Sequence, residues 1–227
     1  MEKVRLYYSK LSSLIGANFV SGGSRLVSTV VLSAFMKFYT DVIGLEPAIY
    51  ATVYLIFSIW NGVNDPLIGL WADKAAFIEG KGKYKRLIRK SIPLFALPVI
   101  MLLFAQPSWN QTVLAIYLLI LMVIYEAAQT LLNVSFNSFK VNTFISAANR
   151  TKMQTVGTYV EQIPVFAAGI VPMMFLTGEY SNQVIVTVFT IAIIIGVFLV
   201  IIGSKFIKED STFYERIEIT KGLSELW

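Results

Sequence analysis

The residues best able to do chemistry lie together in one apolar segment of the chain. In a helix, Asn61 and Asp65 are one turn apart on the same face, and Asn64 lies beside them. Because Pro66 has no backbone N–H, the carbonyl of Gly62 lacks its helical hydrogen-bond donor. A carboxylate, amide groups and a free carbonyl are the oxygen ligands that small cations prefer. The segment therefore predicts a cation-binding site formed by Asp65, Asn64, Asn61 and Gly62.

The alternative for this cluster is a set of polar groups that satisfy one another where helices pack. An ionised carboxylate within a bilayer costs about 2.5–3.5 kcal/mol on insertion scales. Such groups are retained mainly at functional sites, which favours the cation site.

The composition indicates a protein that crosses a membrane several times. Of its 227 residues, 56% are hydrophobic, whereas about 45–50% is typical of soluble domains. The net charge of +5 does not predict a nucleic-acid partner, because Lys and Arg accumulate in the cytoplasmic loops of membrane proteins.

The chain contains no Cys and no His. Disulfides, thiolate nucleophiles, Ser/His/Asp constellations and His or Cys metal sites are therefore excluded, and proton transfer must use carboxylates. The sequence also lacks a Gly-rich phosphate loop followed by Lys and Ser or Thr. We expect no enzyme activity, no catalytic residues, no cofactor and no bound metal apart from a coupling cation.

Six apolar stretches are long enough to cross about 30 Å of hydrocarbon at about 1.5 Å per residue. Their expected bounds are 11–39, 48–71, 92–105, 112–139, 156–176 and 184–203. The sequence thus predicts an all-α membrane protein with six transmembrane helices over 11–204. A polar N-terminal segment (1–10) precedes this bundle, and a tail or the start of a linker (205–227) follows it.

The distribution of charge predicts the orientation. Lys and Arg occur in residues 1–10, 73–90 and 140–152 and from Lys205 onwards, whereas the three intervening loops contain none. Because positively charged loops remain in the cytoplasm, both termini are predicted to be cytoplasmic, in the cell membrane. The basic loop should also attract anionic lipid headgroups, and the tail pattern favours an amphipathic surface helix.

Arg25 lies deep in the first stretch and needs an anionic partner. The sequence offers Asp65, Glu126 and Glu161, and a substrate carboxylate or phosphate is the other candidate. The small residues 21–24 would let another helix approach closely. An internal ion pair and a substrate site are equally compatible with this pattern.

A polar stripe follows one face of the fourth stretch at spacings of three and four residues: Glu126, Gln129, Asn133 and Asn137. The stripe is typical of a water-lined cavity, and the alternative is interhelical hydrogen bonding worth about 0.6 kcal/mol per contact. Trp60 suits a sugar ring, although such aromatic residues more often lie at the membrane interface. The predicted solute-binding residues are Arg25, Trp60, Glu126, Gln129 and Asn133.

Three segments occur in a specific order near the N-terminus: FYTDVIGL (38–45), IWNGVNDPLIG (59–69), and Asp73 followed by GKGKY (80–84). In order and spacing they resemble the glycoside–pentoside–hexuronide:cation symporters, a family of the major facilitator superfamily. The resemblance implies twelve helices in two six-helix halves, each a 3+3 inverted repeat. This chain would be the first half, with the solute held between the halves.

The resemblance also bears on individual site residues. Asn64 and Asp65 match cation-site positions, but Asn61 stands where the family usually carries a second Asp, which leaves Na⁺, H⁺ and no coupling open. Arg25 and Asn133 stand where a sugar carrier of the family places Asp. This departure favours an acidic solute such as a hexuronide, or an anionic lipid-like solute.

We therefore expect a secondary transporter, or its N-terminal half, that moves a sugar-like or acidic organic solute by cation-coupled alternating access. Its expected partners are the solute, the cation, membrane lipid and a second half. That half would be a C-terminal domain, a separate subunit or, in a half-size transporter, a second copy of the chain. The alternative is a non-transporting scaffold or regulatory subunit, in which the polar stripe would be packed and dry.

Overall fold

The computed structural model describes residues 2–169, 174 and 181–209, and every element in these ranges is helical. The predicted all-α fold is therefore confirmed for this part of the chain. Its helices are α1 (Glu2–Ser9), α2 (Leu11–Lys37), α3 (Pro47–Asp73), α4 (Tyr84–Leu102), α5 (Gln111–Thr143), α6 (Ala147–Ala168) and α7 (Asn182–Phe206). A π-helical turn, Phe38–Val42, continues α2.

Each predicted apolar stretch overlaps one helix, from α2 to α7. Among the described residues, three helices are long and apolar enough to cross a membrane: Leu11–Val42, Gln111–Thr143 and Gln183–Phe206. The other three carry polar interruptions such as Asn61, Lys90 and Glu161. The count of six spans therefore stays a prediction.

The start of α4 differs from the prediction. The basic loop was expected to continue to residue 90, but the helix begins at Tyr84. Lys, Arg and Leu are good helix formers, so a basic sequence is compatible with a first helical turn. The helix ends at Leu102, three residues earlier than predicted, and contains both Pro93 and Pro98.

The polar N-terminal segment, for which no secondary structure was predicted, forms α1. Some predictions fall outside the described residues. These are the end of the fifth stretch, most of the loop before α7, and the tail from residue 210.

The basic segments meet at one end of the helices, which we call the basic end. The Tyr8 hydroxyl donates to the carbonyl of Phe206 at 2.8 Å, and the Tyr8 ring packs against Phe144 with centroids 5.2 Å apart. The carboxylate of Glu209, just after α7, accepts a hydrogen bond from the backbone N–H of Lys83 at 3.0 Å. The N-terminus of α2 and the C-terminus of α7 thus lie beside the α3–α4 and α5–α6 connections.

Helix α2 packs closely against α6 and α7 through small residues. A Cβ built on Gly23 would overlap the carbonyl oxygen of Gly196, and one built on Gly22 would lie 3.0 Å from the carbonyl oxygen of Val160. The predicted close approach at residues 21–24 is therefore confirmed. Helix α3 packs mainly against α5 and leaves large side chains such as Ile59 exposed.

The carboxylate of Glu209 caps the N-terminus of α4 from a distant part of the chain. It accepts hydrogen bonds from the backbone N–H groups of Lys83, Tyr84 and Lys85 at 3.0, 3.1 and 2.6 Å. Gly82 has a φ of +72°, and a Cβ there would lie 2.5 Å from this carboxylate. The cap satisfies backbone donors and places a negative charge at the positive end of the helix dipole.

Replacing Glu209 by Ala is expected to lower the free energy of unfolding by about 1–2 kcal/mol, because the first turn of α4 loses its cap. Thermal unfolding in detergent, followed by circular dichroism, measures the change. Glu46→Ala is the matched control, since the Glu46 side chain makes no capping hydrogen bond to α3. Equal unfolding temperatures for the two variants would contradict a stabilising cap.

Candidate functional site

Asn64, Thr130 and Asp65 form a continuous set of hydrogen bonds between α3 and α5. The Asn64 amide Nδ2 donates to Thr130 Oγ1 at 2.8 Å, and the Thr130 hydroxyl donates to Asp65 Oδ1 at 2.9 Å. Asn64 is fully buried, whereas Asp65 is exposed at the surface of the helix. Thr130 therefore links the two side chains that the sequence placed at the centre of the cation site.

The amide oxygen of Asn64 is available as a ligand. This oxygen is buried and has no hydrogen-bond donor within the described ranges. Leaving a buried acceptor unsatisfied costs about 1–3 kcal/mol, and the bond to Thr130 fixes the orientation of the amide. A buried amide oxygen, a hydroxyl and a carboxylate together suit a hard cation.

Thr130 was not among the predicted site residues. The sequence feature that could have identified Thr130 is its position one turn after Glu126 on α5, within the stretch that carries the polar stripe. The other two predicted cation-site residues lie apart from the hydrogen-bonded set. Asn61 is half-buried and Gly62 is exposed, with open space around the position of a Cβ.

A cavity of about 310 Å³ lies between α2, α3 and α5. It joins Asn61, predicted for the cation, with Glu126 and Gln129, predicted for the solute. The Gln129 amide oxygen and the Tyr125 hydroxyl are buried without a partner in the described part of the chain. Buried polar atoms beside a cavity are the arrangement that a polar ligand requires.

Arg25 pairs with Glu161 rather than with the acids of α3 or α5. Its Nε lies 3.8 Å from Glu161 Oε2, and the two side chains are 66% and 24% exposed. An ion pair of this exposure is worth at most about 1 kcal/mol. Because the pair is long and weak, the Arg25 guanidinium retains donors for a second anion.

Asn133 lies beside this pair, because it accepts a hydrogen bond from the hydroxyl of Ser24 at 3.2 Å. Lys140, also on α5, interacts electrostatically with both Arg25 and Glu161. Lys140 was not among the predicted site residues, although it continues the polar stripe three residues after Asn137. Two cations therefore face one acid where α2, α5 and α6 meet.

Trp60 is partly buried, and it is not among the residues that line the cavity. Its indole Nε1 is buried without an acceptor among the described residues. The structure therefore separates the predicted solute residues into two groups. Glu126 and Gln129 line the cavity. Arg25 and Asn133 lie one helical turn from the cavity residues Ser28 and Gln129 and form what we call the rim group.

Comparisons with known proteins match most of the chain. A family model described as MFS/sugar transport protein matches residues 15–225. The chain is 31% identical over 109 residues to YagG of Escherichia coli (strain K12), provisionally named a glycoside/cation symporter. It is 26% identical over 170 residues to the uncharacterized symporter YnaJ and over 121 residues to the uncharacterized symporter YjmB, both of Bacillus subtilis (strain 168).

These alignments cover 48%, 74% and 53% of this chain, in the same order. They cover 23% of the length of YagG, 35% of that of YnaJ and 26% of that of YjmB. The chain thus matches well under half of the length of each of these curated relatives.

Proposed function

Because this chain belongs to the MFS/sugar transport protein family, we propose that it is a secondary active transporter, or the N-terminal half of one. The family is one of membrane transporters, not of enzymes. The proposed activity is cation-coupled movement of a sugar-like or acidic organic solute by alternating access. The observation that carries this proposal is the hydrogen-bonded set of Asn64, Thr130 and Asp65 beside a polar cavity.

The cation would bind at Asp65, with the Asn64 amide oxygen and the Thr130 hydroxyl as further ligands. A single carboxylate suits either Na⁺ or H⁺. Asn61 lines the cavity next to this site, so it would connect the bound cation to the solute. Gly62 would contribute only its backbone carbonyl.

The solute would occupy the cavity and its rim. Gln129 and Glu126 supply hydrogen-bonding groups to the cavity, and Arg25 at the rim pairs only weakly with Glu161. The two cations that interact with Glu161, Arg25 and Lys140, outnumber this acid, which supports an acidic solute over a neutral sugar.

The proposed architecture is a major-facilitator half bundle of six spans, with a 3+3 inverted repeat and both termini in the cytoplasm. Collection of the basic segments at one end supports this orientation. Exposed apolar side chains such as Ile59 (64%) and Phe166 (77%) would face lipid or a second half. That half would be a C-terminal domain, a separate subunit or a second copy.

Uptake into liposomes that contain the full chain tests the proposal. Labelled methyl glucuronide and neutral methyl glucoside are the probes, under an inward Na⁺ gradient or an inward H⁺ gradient. We expect a gradient of one cation to drive accumulation of at least one probe. Absence of accumulation under both gradients would contradict cation-coupled transport by this chain.

Site-directed labelling distinguishes a transporter from a non-transporting scaffold. The chain has no Cys, so single cysteines need no background substitutions. Gln129→Cys and Asn137→Cys are expected to react with a membrane-impermeant maleimide, because both positions would face water. Leu118→Cys, at a fully buried position, and Ile116→Cys, on the exposed apolar face of α5, are the unreactive controls. An unreactive Cys at residue 129 would favour the scaffold.

A further inference from the structure

A second pocket, of about 270 Å³, lies at the start of α4, outside the proposed transport site. Besides Gly80, its lining consists of five cationic residues: Lys81, Lys85, Arg86, Arg89 and Lys90. Among the described residues, none of these five forms a salt bridge. Glu209, whose charge acts on Lys85, already accepts three backbone hydrogen bonds.

The early start of α4 brings these cations together. Lys85 and Arg89 are one helical turn apart, as are Arg86 and Lys90, and like charges at this spacing repel each other. Burial, and then the charge of Arg89, lower the pKa of Lys85. Arg86 is oriented by donating from Nη2 to the carbonyl of Ala76 at 2.7 Å. The pocket therefore has an excess of positive charge that an anion would neutralise.

An apolar stripe continues from the pocket along the same face of α4. Leu94, Leu97 and Met101 follow Lys90 at spacings of four, three and four residues. They are 53%, 58% and 45% exposed. From Lys90 to Met101 the helix rises by about 16 Å, which is roughly half of the hydrocarbon thickness of a bilayer.

We propose that the basic pocket binds the phosphate of an anionic phospholipid whose acyl chain lies along Leu94, Leu97 and Met101. The charge cluster and the apolar stripe match the headgroup and the chain of one amphipathic molecule. A soluble phosphate would use the cations alone and leave the stripe without a role.

Native mass spectrometry of the full chain in a neutral detergent tests the site. Phosphatidylglycerol and phosphatidylcholine of equal chain length are added in equal amounts. We expect preferential retention of phosphatidylglycerol, reduced about thirty-fold by Arg86→Gln with Lys90→Gln, since each charge near an anionic headgroup contributes a factor of about five. Lys10→Gln with Lys205→Gln removes the same charge from exposed positions of the basic end and should leave retention unchanged.

Two further arms identify the source of the phosphate and guard against misfolding. Leu94→Ser with Leu97→Ser keeps every cation and should still weaken retention, whereas inorganic phosphate should not displace the lipid. Lys81→Gln with Lys85→Gln repeats the charge test, and circular dichroism verifies that each variant is folded. Equal retention of the two lipids, equal retention by folded pocket and control variants, or displacement by inorganic phosphate would overturn the proposal.

Discussion

Replacing Asp65 by Asn is expected to reduce cation-driven uptake about 100-fold or more. Loss of a group that only supports a metal ligand lowers metal affinity or activity by about 10–100-fold, and Asp65 is the proposed ligand itself. The variant removes the one negative charge in the set of Asn64, Thr130 and Asp65. The Asn side chain can still accept the hydrogen bond from Thr130, so the packing of α3 on α5 should be retained. Initial rates of labelled-solute uptake, with and without the cation gradient, measure the effect.

Asp41→Asn is the matched control for this substitution. Asp41 lies on the other side of the helical bundle from the basic end and forms an exposed ion pair with Lys37 at 3.3 Å, which is worth at most about 1 kcal/mol. Its loss should leave cation-driven uptake unchanged. Full cation-driven uptake by the Asp65 variant would refute the assigned site.

Replacing Arg25 by Gln is expected to raise KM for an acidic solute about 10–100-fold, the range for a lost hydrogen bond to a charged group. The reason is that Arg25 is the cation whose weak pairing with Glu161 leaves donors for a solute. Uptake of labelled methyl glucuronide over a range of concentrations measures KM. Neutral methyl glucoside should show a much smaller change.

Glu161→Gln supplies the opposite test. Removing this acid frees Arg25, so KM for methyl glucuronide should stay constant or fall. If both substitutions raise KM equally for the acidic and the neutral solute, the pair of Arg25 and Glu161 has a structural role in the bundle instead of a role in solute selection.

The family could be identified from three short N-terminal segments, and the match over residues 15–225 confirms that resemblance. Asn64 and Asp65 could likewise be predicted as cation-site residues, because they are polar residues within an apolar helix. Their contact with Thr130 was not predictable, because it depends on the rotation of α5 against α3. Helical periodicity places residues on a face, but it does not show which neighbouring residue that face meets.

The partner of Arg25 was undetermined for the same reason. The sequence offered three acids, and packing selected Glu161, because Gly22 lets α2 approach Val160 of α6. That contact brings the next residue of α6 within reach of Arg25, one turn further along α2. The start of α4 was mispredicted because its cap, Glu209, lies 126 positions further along the chain than Lys83.

The most direct test of the cation site is the change in unfolding temperature with cation concentration at constant ionic strength. In one series sodium replaces a bulky organic cation, and in a second series the pH is lowered. Each series compares the wild type, Asp65→Asn and Thr130→Val. A cation that binds only the folded protein stabilises it, by about 2.7 kcal/mol at a hundred times Kd. We predict a rise for the wild type, a smaller rise for the Thr130 variant and none for the Asp65 variant. The same response in all three proteins would contradict a cation site at Asp65.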